Sequence, residues 1–270
     1  MRYLIFALTI VFFSSCSSFN KLLKSDNPEE QLNAAIEYYE NEDYFRTQQL
    51  MEKIIVSYRG TIQAEKIYYY YAYSFYHMKD YITAAFHFNS LAKSLPNSQY
   101  AEEALYMSAY CKFLFSPDYF LDQTFTKEAI QEMQLFINKH PQSTRVADAN
   151  KIIDEMRAKM EMKSFEAAKI YMQLEEYNAA VTALRNVISD FPGTNYTEEA
   201  MFLILKSWFL YAQGSISAKQ LERYQEVKKA WEEFSSEFPE SEHKNAALFY
   251  YSSAVKNIEK IQNTTQNIKK

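Results

Sequence analysis

Residues 65–96 read EKIYYYYAYSFYHMKDYITAAFHFNSLAKSLP. Large and small apolar residues recur there at helical spacing: Tyr68, Tyr71, Ala72 and Phe75 before the middle, Ala84, Phe88 and Leu91 after it. Recurrence every three to four residues marks one apolar face of an α-helix. Asp80-Tyr81 interrupts the pattern, and Pro96 ends it, because proline has no amide hydrogen and clashes with the preceding turn. The stretch therefore predicts two antiparallel helices. Ala72 and Ala84 let them approach closely, while the large residues fill the gap to the next pair.

Both boundaries recur along the chain. Pro96-Asn97-Ser98, Pro141-Gln142-Ser143, Pro192-Gly193-Thr194 and Pro239-Glu240-Ser241 share one frame, preceded by a degenerate Arg59-Gly60-Thr61. Their hydroxyl residues lie 37, 45, 51 and 47 positions apart, a period typical of stacked helix pairs. Each proline is expected to stop one helix and each hydroxyl to cap the next. The inner boundary repeats as Asp43-Tyr44, Asp80-Tyr81 and Glu176-Tyr177, with Ala84 and Ala180 three residues after the tyrosine. Residues 65–96 closely resemble a tetratricopeptide repeat. Residues 28–58 form a weaker copy, with Thr47 in place of alanine, and residues 161–192 a good one. The expected fold is all-α: a tetratricopeptide-repeat α-solenoid of about five helix pairs plus a C-terminal capping helix over about 242–261. Residues 144–174 lack proline and glycine and predict one long helix. Longer linkers are expected at about 115–124 and 213–219. Because each pair exposes an apolar face until its neighbour covers it, the stack is expected to behave as one cooperative rod.

Composition excludes much else. Three glycines among 270 residues cannot supply a dinucleotide fingerprint or a phosphate loop. They also leave too little turn chemistry for a many-stranded β fold. Twenty-three tyrosines and twenty phenylalanines argue against disorder, and a net charge of −5 against a nucleic-acid partner. Four histidines and two cysteines make a dedicated metal site improbable, and no cofactor is expected. His77, His87 and Asp80 read best as polar turn residues. No nucleophile stands beside a base in a recognisable motif, so the chain is read as non-enzymatic.

The first residues carry an address. Arg2, the apolar run Leu4–Phe13 and Ser14-Ser15-Cys16 follow the plan of a secretory signal. Ten apolar residues reach about 15 Å as a helix, half of the roughly 30 Å hydrocarbon core. Phe13-Ser14-Ser15-Cys16 resembles a bacterial lipobox, which implies cleavage before Cys16 and a covalent lipid on it. Several acyl chains hold a membrane where one chain does so only marginally. The expected organisation is a signal at 1–15, a lipidated tether at 16–27, an N-terminal half at 28–141, a C-terminal half at 142–262 and a tail at 263–270. Cys111, among Tyr106, Met107, Tyr110 and Phe113, reads as a buried, inert thiol.

Tyr68 to Tyr76 place aromatics all around one helix, more than a single packing stripe requires. In the repeat register the concave positions fall on Lys66, Tyr69, Tyr73, Tyr76 and His77, and in the first copy on Leu32, Ile36 and Tyr39 with Glu29 and Glu40. Together they are expected to line a peptide-binding groove, since tyrosine offers large contact area at low entropy cost. Packing against the tether or an adjacent helix is the other reading.

A lipobox cysteine followed by five tetratricopeptide-like units is similar to the BamD family of outer-membrane lipoproteins. So are Leu121-Asp122-Gln123-Thr124, Ala147-Asp148-Ala149, Tyr177-Asn178-Ala179-Ala180 and Asp190-Phe191-Pro192-Gly193-Thr194. Arg59 and Thr182-Ala183 depart from the family pattern, the latter at an expected Asn-Arg pair. The resemblance implies a lipid-anchored assembly factor on the periplasmic side of the outer membrane. Its N-terminal groove would receive unfolded outer-membrane proteins, and its C-terminal half would dock on a BamA-type barrel subunit. A SusD-like glycan-binding lipoprotein and a periplasmic adaptor for cell-wall enzymes are the competing readings.

Overall fold

The computed structural model describes residues 18–268; the signal segment 1–15 and Cys16 lie outside them. After a short helix α1 (18–24) come α2 (Pro28–Glu40), α3 (Tyr44–Ile54), α4 (Ile62–His77), α5 (Tyr81–Ser94), α6 (Ala101–Phe115) and α7 (Thr124–Lys139). They are followed by α8 (Val146–Gln173), α9 (Tyr177–Asp190), α10 (Thr197–Gln213), α11 (Ser217–Glu237) and α12 (Lys244–Ile268). Among the described residues there is no strand. The protein is an all-α assembly of tetratricopeptide-like helix pairs.

Two turn designs build it. Within pairs, Glu42, Lys79 and Glu175 adopt φ of 61°, 63° and 61°, the left-handed conformation that reverses a chain after a helix. At the middle turn, Lys79 N–H donates to the Tyr76 carbonyl (2.9 Å) and Asp80 N–H to that of Phe75 (3.0 Å), the paired bonds of a Schellman motif. Asp43 and Asp80 then accept from the N–H groups of Arg46 and Thr83, each at 3.2 Å, and so cap α3 and α5.

Between pairs, Leu95, His140, Phe191 and Phe238 end helices α5, α7, α9 and α11, each directly before a proline. The hydroxyls in these turns do something other than expected. Ser98, Ser143, Thr194 and Ser241 accept from the N–H two residues on, at 3.1, 3.2, 3.3 and 3.0 Å, and the next helix starts three residues on. They fasten the turn ahead of the helix rather than cap its first amide. Thr61 does precede α4 directly, yet its hydroxyl donates to the Tyr58 carbonyl at 2.7 Å and caps nothing.

The chain forms two compact units, one ending at Arg157 and the other starting at Ala158, both within α8. The expected boundary after residue 141 thus shifts by half a helix. The first unit buries Leu50, Ile54 and Ile67 in one cluster and Ala72, Ala84, Phe88, Met133, Phe136 and Met156 in another. The second buries Phe165, Ala168, Leu184, Leu205, Val227 and Phe234. The alanines at 72, 84, 168 and 180 are at most 1 % exposed, in keeping with close helix approach.

Three other expectations change. Residues 18–24 are not a free tether: Phe19 is buried edge-on to Tyr38 at 5.7 Å, and Gln31 Nε2 donates to the carbonyls of Leu22 (2.9 Å) and Ser25 (3.0 Å). Apolar Phe19, Leu22 and Leu23 supply the reason, since a linker rich in such residues collapses onto an open helix pair. The linker after α10 shortens to residues 214–216. The supposed tail continues α12 to Ile268, in a segment without proline or glycine. The long helix and the 116–123 linker match expectation; 28 residues of α8 span about 42 Å.

Candidate functional site: an aromatic cleft with a charged wall

The tyrosines of α4 divide by helical angle. Tyr71 turns inward and is buried against Phe75 (5.1 Å) and His87 (4.6 Å). Tyr69 and Tyr73 lie one turn apart on another face, their rings 4.7 Å apart. Both phenols donate to one carboxylate, Glu103 in the first turn of α6, at 3.0 Å to Oε2 and 2.7 Å to Oε1. Arg145 Nη2 donates to Oε1 at 2.9 Å, and its guanidinium lies 4.8 Å from the Tyr106 ring. One carboxylate thereby joins α4, α6 and the segment entering α8. Burial, reinforced by Glu103, pushes the Tyr69 phenol up to about 12, and burial raises that of Tyr73 as well. Both therefore stay protonated donors near neutral pH.

Beside this node opens a cleft of about 480 Å³. Its aromatic wall comes from Tyr73 and Tyr76 of α4 and from Tyr106, Tyr110 and Phe113 of α6, with Met107. Its other wall is Arg145 with Asp148, Lys151 and Glu155 of α8, around the apolar Ile152. The α8 residues are spaced by three and four, so one helix face carries them. Tyr106 and Tyr110 stack at 5.8 Å and 14°.

Two of the eight expected groove residues line this cleft. Tyr73 and Tyr76 line the cleft, and Tyr69 packs behind it on Tyr100 at 4.3 Å. Tyr39 and His77 extend the same aromatic network, the His77 ring lying 5.9 Å from that of Tyr73 and 5.4 Å from that of Tyr76. Tyr39 Oη lies 3.3 Å from His77 Nε2, His77 stacks on Tyr44 at 4.2 Å, and Tyr39 meets Tyr70 at 4.5 Å. Lys66 sits 5.5 Å from the Tyr70 ring. Leu32 and Ile36 are half-buried against the core of the first pair. His87 stacks on Phe75 at 5.2 Å, so the two histidines serve different aromatic neighbours. Among the described residues, no three His, Cys, Asp or Glu side chains are grouped to hold a metal.

The α6 and α8 contributors lie beyond the two repeats to which the concave register is applied above, although a signal for them exists. Advancing Lys66, Tyr69, Tyr73 and Tyr76 by the 37-residue period lands on Glu103, Tyr106, Tyr110 and Phe113. A further 45 residues carries the first three to Asp148, Lys151 and Glu155. Carried through two more repeats, the register reaches both walls of the cleft.

Fold and cleft define a class: a helical-repeat protein with an amphipathic cleft. A family model described as "YfiO: Outer membrane lipoprotein" matches residues 24–220, and the chain belongs to that family. An outer membrane protein assembly factor BamD of Aquifex aeolicus (strain VF5) is 26 % identical over 222 residues, covering 81 % of this chain and 70 % of that protein. The BamD of Caulobacter vibrioides is 27 % identical over 121 residues, 45 % of this chain and 39 % of its own. Among solved structures, a thermophilic tetratricopeptide protein of Thermus thermophilus matches 85 % of this chain and 99 % of its own, at 12 % identity and a TM-score of 0.34. No described helix is long and apolar enough to cross a membrane.

Proposed function

We propose that the chain is an outer-membrane protein assembly factor, anchored by lipid on Cys16 and facing the periplasm. In this reading the cleft of the first unit receives unfolded β-barrel proteins, and the second unit docks on a BamA-type barrel subunit. The relatives named for this activity support the role, and the two-walled cleft carries the client assignment. A strand of a membrane β-barrel alternates apolar and polar side chains with a period of two residues. In extended form it would offer one set to Tyr76, Tyr110 and Phe113 and the other to Asp148, Lys151 and Glu155. Recognition of an extended segment by alternate side-chain sites is an established mode of peptide binding.

The test is binding of a labelled peptide copied from a barrel protein's C-terminal strand. Replacing Tyr76 and Tyr110 together by alanine is expected to weaken binding by about tenfold or more, the usual loss when central aromatic contacts are removed. Helix content, followed by circular dichroism, is expected to stay unchanged. Unaltered affinity in a folded double variant would put the client site elsewhere.

A further inference from the structure

The second helices of the first three pairs carry an apolar residue at one shared position. Phe45, Ile82 and Phe125 each stand two residues after the residue that starts the helix: Asp43, Asp80 and Gln123. Phe45 is 61 % and Ile82 45 % exposed, and Phe86, one turn further along α5, is 66 % exposed. Ile82, Phe86, Phe115 and Phe125 line a concavity of about 220 Å³ together with Asn89 and the Lys112–Glu128 ion pair, whose charges satisfy each other at 2.7 Å, and Phe115 is edge-on to Phe125 at 4.9 Å. The row ends with the first unit: the same position holds Asn178 in α9 and Ala218 in α11. Clustered exposed apolar side chains on a folded protein mark a contact surface.

The N-terminal segment says with what. Phe19 is buried, and the Arg46 guanidinium lies 5.4 Å from both the Phe19 and Tyr38 rings. Arg46 is the direct neighbour of Phe45 at the start of α3. Lys53 Nζ donates to the Ser25 carbonyl at 3.0 Å and closes the other end of α1 onto α3. Cys16 precedes Phe19 by three residues, and a chain spans at most about 3.6 Å per residue, roughly 11 Å in all. A lipid on Cys16 therefore cannot be far from the beginning of the apolar row.

We infer that the row Phe45, Ile82 and Phe86, with Phe115 and Phe125, is a membrane-contact face that rests in the headgroup–acyl boundary of the leaflet holding the lipid anchor. The inference rests on the proposed acylation of Cys16. Apolar side chains of interfacial segments settle about 5–10 Å into that boundary. A short, docked connection converts a lipid tether into an oriented mount.

The experiment uses the full acylated chain on vesicles of phosphatidylethanolamine and phosphatidylglycerol containing dibrominated lipid. Phe86→Cys provides the labelling thiol, because Cys111 is buried and Cys16 would be blocked as a thioether. A nitrobenzoxadiazole probe at Phe86→Cys is expected to be quenched at least about twofold more than one at Lys151→Cys in the cleft. Flotation reports the anchor independently. A chain that floats while both probes are quenched equally overturns the membrane face and leaves the anchor standing. A chain that fails to float overturns both. Probe shielding that rises with protein concentration and ignores bromine assigns the row to contact between copies, and also overturns the inference.

Discussion

Glu103 shows how much one side chain can organise. Three donors converge on it from two segments, and the two phenols among them are held protonated by burial first and by its charge second. A phenol whose folded-state affinity for its proton exceeds that of the unfolded chain stabilises the fold fully below pH 10, and that stability drains as pH climbs towards the folded value. For Tyr69 the window is pH 10 to about 12. Urea midpoints are expected to fall across it, and less steeply in Glu103→Gln, which keeps the shape and removes the charge. His77 and His87 act at the other end of the scale: burial lowers both, so the unfolded chain takes up protons first and stability declines as pH drops below 6.5. Lys79 is a different case, an ordinary side chain in the left-handed region at φ 63°. Lys79→Gly relieves a steric cost of about 1 kcal/mol and is expected to raise stability by up to that amount in thermal or urea melts.

Among the elements, the paired helices were legible because proline, acid and alanine fall where backbone chemistry leaves little choice. Pro96 follows Leu95, the residue that caps the end of its helix, Asp80 caps the start, and Ala84 sits at the contact. Close approach through alanine is testable by filling it. Ala84→Leu, at a fully buried position against Phe88 and its neighbours, forces overpacking that costs about 1–3 kcal/mol, read as a lowered urea midpoint with an unchanged slope. Other features were hidden for physical reasons. The docking of 18–24 depends on a tertiary surface made by Tyr38, Arg46 and Lys53, none of which is local in sequence. The α8 wall was hidden because the third pair's longer linker, 116–123, lengthens the period from 37 to 45, so Lys151 no longer aligns by eye with Tyr106. Tyr39 and His77 stand at the concave positions that the register gives them, and ring contacts link them to Tyr73 and Tyr76 of the cleft wall without bringing them into its lining.

At the scale of the molecule, the expectation of a single cooperative rod meets the arrangement of its cores. Helix α8 gives Ala149, Ile152, Ile153 and Met156 to one cluster and Phe165 and Ala168 to another. No residue from Arg157 to Ser164 is buried, so the helix passes between cores through eight positions that contribute little apolar burial. In stacked repeats, stability is close to a sum of each repeat and its nearest interfaces, and a weak interface divides cooperativity. Phe234, fully buried in the second unit, provides the lever. Truncating such a core phenylalanine to alanine costs about 3–5 kcal/mol. In Phe234→Ala, amide hydrogen exchange is expected to quicken across α9 to α12 by orders of magnitude, while α2 to α7 keep wild-type protection. The reciprocal variant Phe88→Ala should reverse the pattern. Equal acceleration in both units from either substitution would mean that the unburied stretch of α8 transmits folding energy as well as a packed interface does, and the chain would fold as one cooperative body after all.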